Sequence, residues 1–204
     1  MYTPSDGREW GCTSKQTMNH LSHFVNGDRI GVIKYISFGM KLKTIANHYA
    51  FIDSQNLNLS IREQGWVLDF ARFRVYLTDK YCIPKAFIFI GYVPQNQPWY
   101  TNLQKDGYIL VFKPTLILPN GEVKGNVDAE LVLHTMIEYA NYDKALIVTG
   151  DGDFYCLVDY LLSNNKLLNL MIPNMEKYSS LFRRLRSNIV FINGFKSKVE
   201  HHRK

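Results

Sequence analysis

The sequence predicts an α/β fold with a mainly parallel central sheet flanked by helices, on three observations. From Tyr49 onward, short apolar runs alternate with segments of helical periodicity, the order of a doubly wound sheet. The runs are continuous and branched, Ala145-Leu146-Ile147-Val148 among them, as in strands covered on both faces. That run leads through Gly150, Asp151, Gly152 and Asp153 straight into a helical pattern at Phe154, Leu157, Val158, Leu161 and Leu162. In an open α/β sheet, the crevice beyond the carboxyl ends of the strands is where ligands bind.

The first strand is Tyr49-Ala50-Phe51-Ile52, ending at Asp53. A helix follows, with Leu68, Ala71, Phe73, Val75, Tyr76 and Leu77 as its apolar positions. Ala86 to Ile90 forms the second strand, and a helix around Trp99 to Gln104 leads to a third, Tyr108 to Phe112. Leu116 to Val123 reads as a small hairpin turning at Asn120-Gly121. A helix from Val127 to about Tyr139 precedes the strand at Ala145. Beyond the helix that follows it come a strand from Leu167 to Ile172, a short helix from Ser179 to Arg186 and a strand from Ile189 to Ile192.

The first 48 residues do not follow this rhythm. They are polar, carry scattered glycines, and only Ile30 to Phe38 looks strand-like. They are expected to be a loosely ordered extension, with Met40 a plausible start for the folded domain. Cys12, His20 and His23 lack a fourth partner and make a poor zinc site. The expected division is therefore an extension over 1–48, one domain over 49–195 and a basic tail over 196–204.

With 46% hydrophobic and 14% aromatic residues, the 204-residue chain can bury a sizeable core. No apolar run approaches the roughly 18 residues of a membrane span, and the N-terminus lacks a signal-peptide core. Three widely separated cysteines (Cys12, Cys82, Cys156) indicate neither a disulfide framework nor a zinc site, so a reducing cytoplasm is the default. The net charge of +6 is uneven: residues 177–204 hold eight Lys/Arg against Glu200, a local +7 that leaves −1 for the remainder. A near-neutral body with a basic flank suits a polyanionic partner.

Asp53 ends the first strand, Asp128 opens the helix that precedes the Ala145 strand, and Asp151 and Asp153 follow that strand. If the strands are parallel neighbours, all four converge on one edge of the sheet. Converging carboxylates resist ionisation without a cation. Mg²⁺ or Mn²⁺ fits oxygen donors and suits attack of a metal-activated water on a phosphodiester. Taken one by one the acids have blander roles: Asp128 and Asp153 as helix N-caps, Asp53 as a turn former with Asn56.

Three segments, Asp53-Ser-Gln-Asn56-Leu, Lys124-Gly-Asn-Val-Asp128-Ala-Glu-Leu and Thr149-Gly-Asp-Gly-Asp-Phe154, resemble the three motifs of NYN domains, the LabA-like branch of the PIN-domain ribonucleases. The resemblance runs from about Tyr49 to Phe195. It implies a PIN-like, Rossmann-like three-layer architecture and metal-dependent cleavage of RNA. It places the catalytic and metal-binding acids on Asp53, Asp128, Asp151 and Asp153, with Asn56 as companion of Asp53. Many members carry another acid where this chain has His134, six residues after Asp128. Thr149 is a candidate to support a carboxylate or an attacking water. Lys113, Lys124, Arg183, Arg184 and Arg186 are candidates for phosphate contacts, and Tyr92, Trp99 and Tyr100 for base stacking. The alternatives are a non-catalytic PIN-like module that binds RNA or protein, and a Mg²⁺-dependent phosphotransferase or phosphatase acting on a small molecule. A homo-oligomer is possible; a membrane partner is not expected.

Overall fold

The computed structural model describes residues 46–114, 116–117, 123–124 and 127–202. Six parallel strands form the central sheet: β1 (Tyr49–Asp53), β2 (Lys85–Gly91), β3 (Tyr108–Lys113), β6 (Ala145–Val148), β7 (Leu167–Ile172) and β8 (Ile189–Phe191). Their order is β3-β2-β1-β6-β7-β8, so the direction of winding reverses between β1 and β6. Ile52 lies level with Val148 and Asp53 with Phe89, which puts the ends of β1, β2 and β6 on a common edge. A switch point of this kind opens a crevice between the loops of adjacent strands. β4 (Leu116–Ile117) pairs antiparallel with β5 (Val123–Lys124), as the hairpin reading expects, while its Asn120-Gly121 turn lies outside the described residues.

Helices cover both faces. On one face α1 (Ser54–Arg62), α2 (Phe70–Tyr81), α3 (Gln97–Lys105) and α6 (Lys196–Val199) pack on Ala50, Ile52, Ile88, Leu146, Val148 and Met171. On the other, α4 (Asp128–Ile137) and α5 (Tyr155–Ser163) cover Phe51, Phe89, Ala145, Ile147 and Leu170. Successive residues of each strand thus enter opposite cores, which is why the runs are apolar throughout rather than alternating.

The reading of one helix after β1 is corrected to two. Between Asp53 and Leu68 the chain is mostly polar, and Leu57 and Ile61, one turn apart, are the only apolar residues of α1 that are buried. That stripe is too narrow to register as a helical period, and the helix depends on its cap and on the sheet beneath. Leu68 precedes α2 and forms an antiparallel bridge with Glu200. Cys82 ends α2 in the left-handed conformation (φ 52°) and is disulfide-bonded, which the cysteine spacing does not indicate. Cys156 is a free, exposed thiol.

The expected basic tail begins with packed structure: Val199 of α6 is fully buried, and Asp69 N–H donates to the Val199 carbonyl at 2.8 Å. Asn47, just before β1, is tied to the domain by hydrogen bonds with Asp143 and Asn141. Residues 1–45, with Cys12, His20, His23 and the strand-like Ile30 to Phe38, lie outside the described residues. No helix among the described residues is long and apolar enough to cross a membrane.

Candidate active site

Asp53 is the last residue of β1 and the N-cap of α1, its Oδ1 accepting from the Asn56 amide at 3.1 Å. The bland reading of Asp53 with Asn56 therefore holds, yet it does not exhaust the residue. Asp53 is 4% exposed, and its Oδ2 accepts a hydrogen bond from the Thr149 hydroxyl at 3.2 Å. Thr149 in turn accepts from the Asp151 amide at 3.1 Å. One buried hydroxyl thus joins the end of β1 to the loop after β6. A second link comes from Asn56, whose Oδ1 accepts from the Gly150 amide at 2.8 Å.

Burial pushes the Asp53 carboxyl up to about 6, the charges of Asp128 and Asp151 add to the rise, and the Asn56 amide and Thr149 hydroxyl oppose it. Two of the other three expected acids therefore bear on Asp53 at one strand-end edge. Asp153 does not join them: its side chain is exposed, and its amide donates to Asp151 Oδ1 at 3.1 Å. The N-cap of that turn is Asp151 rather than Asp153. Asp128 is the first residue of α4, after a Val127 cap that makes no side-chain hydrogen bond, so the N-cap reading of Asp128 is corrected. An acid in the first turn still meets the positive end of the helix dipole.

Gly152 is needed for close approach rather than for a left-handed turn. A Cβ on Gly152 would run into the Ser179 Oγ and stand 2.9 Å from the Ser179 Cβ. One on Gly150 would touch Asn56 Oδ1 and Tyr178 Cβ, each at 3.5 Å. The segment after β7 lies against this loop, and the Ser179 amide donates to the Gly150 carbonyl at 3.0 Å. Tyr178 and Ser179 thus shape the site although no motif marks them; only an unexplained glycine pair hints at a close neighbour.

Lys113, at the end of β3, is held at 3.1 Å by Glu130 of α4, a partner the sequence reading passes over. Lys124 lies in β5, its side chain outside the described residues. Arg183, Arg184 and Arg186 are all exposed on the 3₁₀ segment Ser180–Asn188, which is anchored from beneath by buried Phe182 and Leu185. Of the three aromatics proposed for stacking, Tyr100 is core, Trp99 packs edge-on to Phe70, and Tyr92 is 38% exposed.

Residues 49–193, which span this sheet and its motif-bearing loops, match the NYN domain model. The chain belongs to the NYN domain family. NYN domains fall within the PIN-like nuclease superfamily. A protein of unknown function from Vibrio parahaemolyticus, known from its crystal structure, is similar in fold, with a TM-score of 0.63 at 20% identity over 76% of this chain and 96% of its own. No curated protein matches.

PIN-like nucleases generally use a divalent ion. A buried carboxyl with a raised pKa, flanked by two further carboxylates, is an oxygen-donor set whose repulsion a hard cation would relieve. Among the described residues, no three His, Cys, Asp or Glu side chains draw together closely enough to hold a metal ion directly. The donors therefore fit a Mg²⁺-like ion that keeps most of its waters and takes one or two carboxylates, not an all-protein cage.

Proposed function

We propose that this NYN domain is a metal-dependent ribonuclease of the LabA-like kind, in which Asp53, Asp128, Asp151 and Asp153 are the acids that serve Mg²⁺ or Mn²⁺, one or two of them to a largely hydrated ion. The observation that carries the reading is the buried Asp53, whose carboxyl is raised by burial and by the charges of Asp128 and Asp151 at the switch point of the sheet. A bound divalent ion would supply charge neutralisation and an activated water for attack on a phosphodiester. The chain's own residues prepare the site. Thr149 fixes one Asp53 oxygen and the backbone of Asp151 together, and Asn56 ties Gly150 to the start of α1. The exposed Asp153 is free of the core and can meet an ion or substrate from the solvent side. RNA phosphates would be met by Lys113, Lys124, Arg183, Arg184 and Arg186.

One observation favours a second reading, a PIN-like module that binds RNA without cutting it: no three of the acids stand within reach of one ion. Cleavage of end-labelled single-stranded RNA separates the two. Turnover with Mn²⁺ or Mg²⁺ that stops in EDTA and in Asp53→Asn supports the nuclease. Binding without turnover under every metal condition overturns it.

A further inference from the structure

We infer that Tyr92 and Phe112 form a base-stacking platform for single-stranded nucleic acid beside the acid site, a subsite that rests on the nuclease reading above. Both residues are 38% exposed, Tyr92 just beyond the buried strand β2 and Phe112 on the edge strand β3. Their centroids lie 5.5 Å apart with the planes nearly perpendicular, at 84°, and buried Tyr100 packs against both, at 5.9 Å from Tyr92 and 4.9 Å from Phe112. The backbone that carries Tyr92 is pinned on both sides. Its own amide donates to the Lys113 carbonyl at 2.9 Å, and the next amide, of Val93, donates to the Tyr100 hydroxyl at 2.9 Å. Two large apolar rings are thus held rigidly toward solvent, which is the arrangement of a recognition surface more than of a core.

The surroundings identify the occupant. Phe112 lies level with Ile90 on the α3 face and Asp53 level with Phe89 on the α4 face, so the platform and the acids border the same strand-end edge of the sheet from its two faces. Neighbouring strands are about 4.8 Å apart, which puts β3 roughly 10 Å from β1 across the sheet. A stacked strand advances about 3.4 Å per nucleotide. A strand whose phosphate is held at Asp53 and that crosses this edge comes level with the platform about three nucleotides along. Lys113 follows Phe112 directly and turns to the opposite face of the sheet toward Glu130, so cation and rings flank the path of the strand. Every base presents a π-face, and the platform would accept nucleotides without reading sequence.

The test is equilibrium binding of a fluorescent single-stranded RNA 12-mer in EDTA, beside a 12-mer of the same backbone made abasic at its central positions. Tyr92→Ala should weaken binding of the intact strand by about 5- to 100-fold and leave the abasic strand unaffected. Tyr92→Phe and Tyr92→Trp should restore it. The salt dependence should stay unchanged, because no phosphate contact is removed. Equal losses on both strands, equal affinity of Tyr92→Ala and the parent, or no restoration by Tyr92→Phe in a protein with an unchanged thermal midpoint would overturn the platform. Binding in EDTA is independent of cleavage. Stacking without metal-dependent turnover would sink the nuclease and leave the platform, and turnover indifferent to Tyr92 would do the reverse.

Discussion

The acid site and the basic segment at 180–188 both border the loop after β6, yet they are built on opposite principles. Asp53 is buried, capped and hydrogen-bonded on both oxygens, and its ionisation is shifted by its setting. Arg183, Arg184 and Arg186 are exposed, and only Phe182 and Leu185 beneath them are buried. A group inside the fold acts through its exact surroundings, so a single change there should be felt in both chemistry and stability. Groups outside act as a field that weakens with salt and sums over several residues. The 3₁₀ segment thus places its charges by anchoring what lies below them, and the acid site by fixing the carboxylates themselves.

The sharpest break of this comparison is Asp53→Asn. On the nuclease reading, metal-dependent cleavage of labelled RNA should fall by more than about 100-fold, the upper range for disturbing a ligand's support. The metal-free fold should gain stability at the same time. A carboxyl whose folded pKa stands at about 6 against 3.8 favours folding below pH 3.8 and loses that contribution as pH rises through about 6. The loss amounts to as much as about 3 kcal/mol. Asn, itself a good N-cap, escapes it. Urea titrations in EDTA should show the variant more stable than the parent at pH 7.5 and no more stable at pH 3.5. A midpoint lowered at both pH values would show that the Asp53 hydrogen bonds outweigh its burial.

Thr149→Val tests the link between the two acids. Removing the hydroxyl strips a donor from Asp53 and an acceptor from the Asp151 amide. Turnover should drop by about 10- to 100-fold, with a stability cost of about 1–3 kcal/mol for the unsatisfied partners. Turnover at the parental rate would place Thr149 outside the machinery.

Gly152→Ala should destabilise by about 1–3 kcal/mol through overpacking against Ser179. Combined with Ser179→Gly, the loss should shrink, because the two atoms nearest the new methyl are gone and only Leu181 Cδ1, at 3.3 Å, remains. Additive losses in chemical denaturation would mean that Gly152 is required by the backbone and not by its neighbour.

The smallest effect on stability belongs to the arginines. Replacing Arg183, Arg184 and Arg186 together by Gln should move stability by less than about 0.5 kcal/mol per site. RNA affinity should fall, and the slope of log K against log salt should flatten by about 2, equally for different RNA sequences. A slope unchanged by the triple substitution would assign the polyanion contacts elsewhere.

How far the site could be read in advance depended on the range of the forces involved. The Asp53-Asn56 cap and the Gly150–Asp153 turn are local, written within a few residues, and a reading of spacing finds them. Lys113 shows the opposite case: an exposed-looking cation at a strand end, it meets Glu130 only because β3 and α4 come together. Polar α1 buries only two apolar residues, too few to show as a helical period, and the disulfide at Cys82 is invisible to cysteine counting.

By itself the sequence determined the parallel sheet, since short branched runs alternating with helical segments suit strands covered by helices, and it determined which acids end those strands. The tertiary structure alone decided which acids feel one another. Parallel register brings Asp53 level with the end of β6, and α4 carries Asp128 within electrostatic range, while Asp153 turns to solvent one residue beyond its neighbour. Periodicity describes what a residue prefers to bury, but charge interaction depends on distance and desolvation across chain segments far apart in sequence, and these exist only once the sheet has closed.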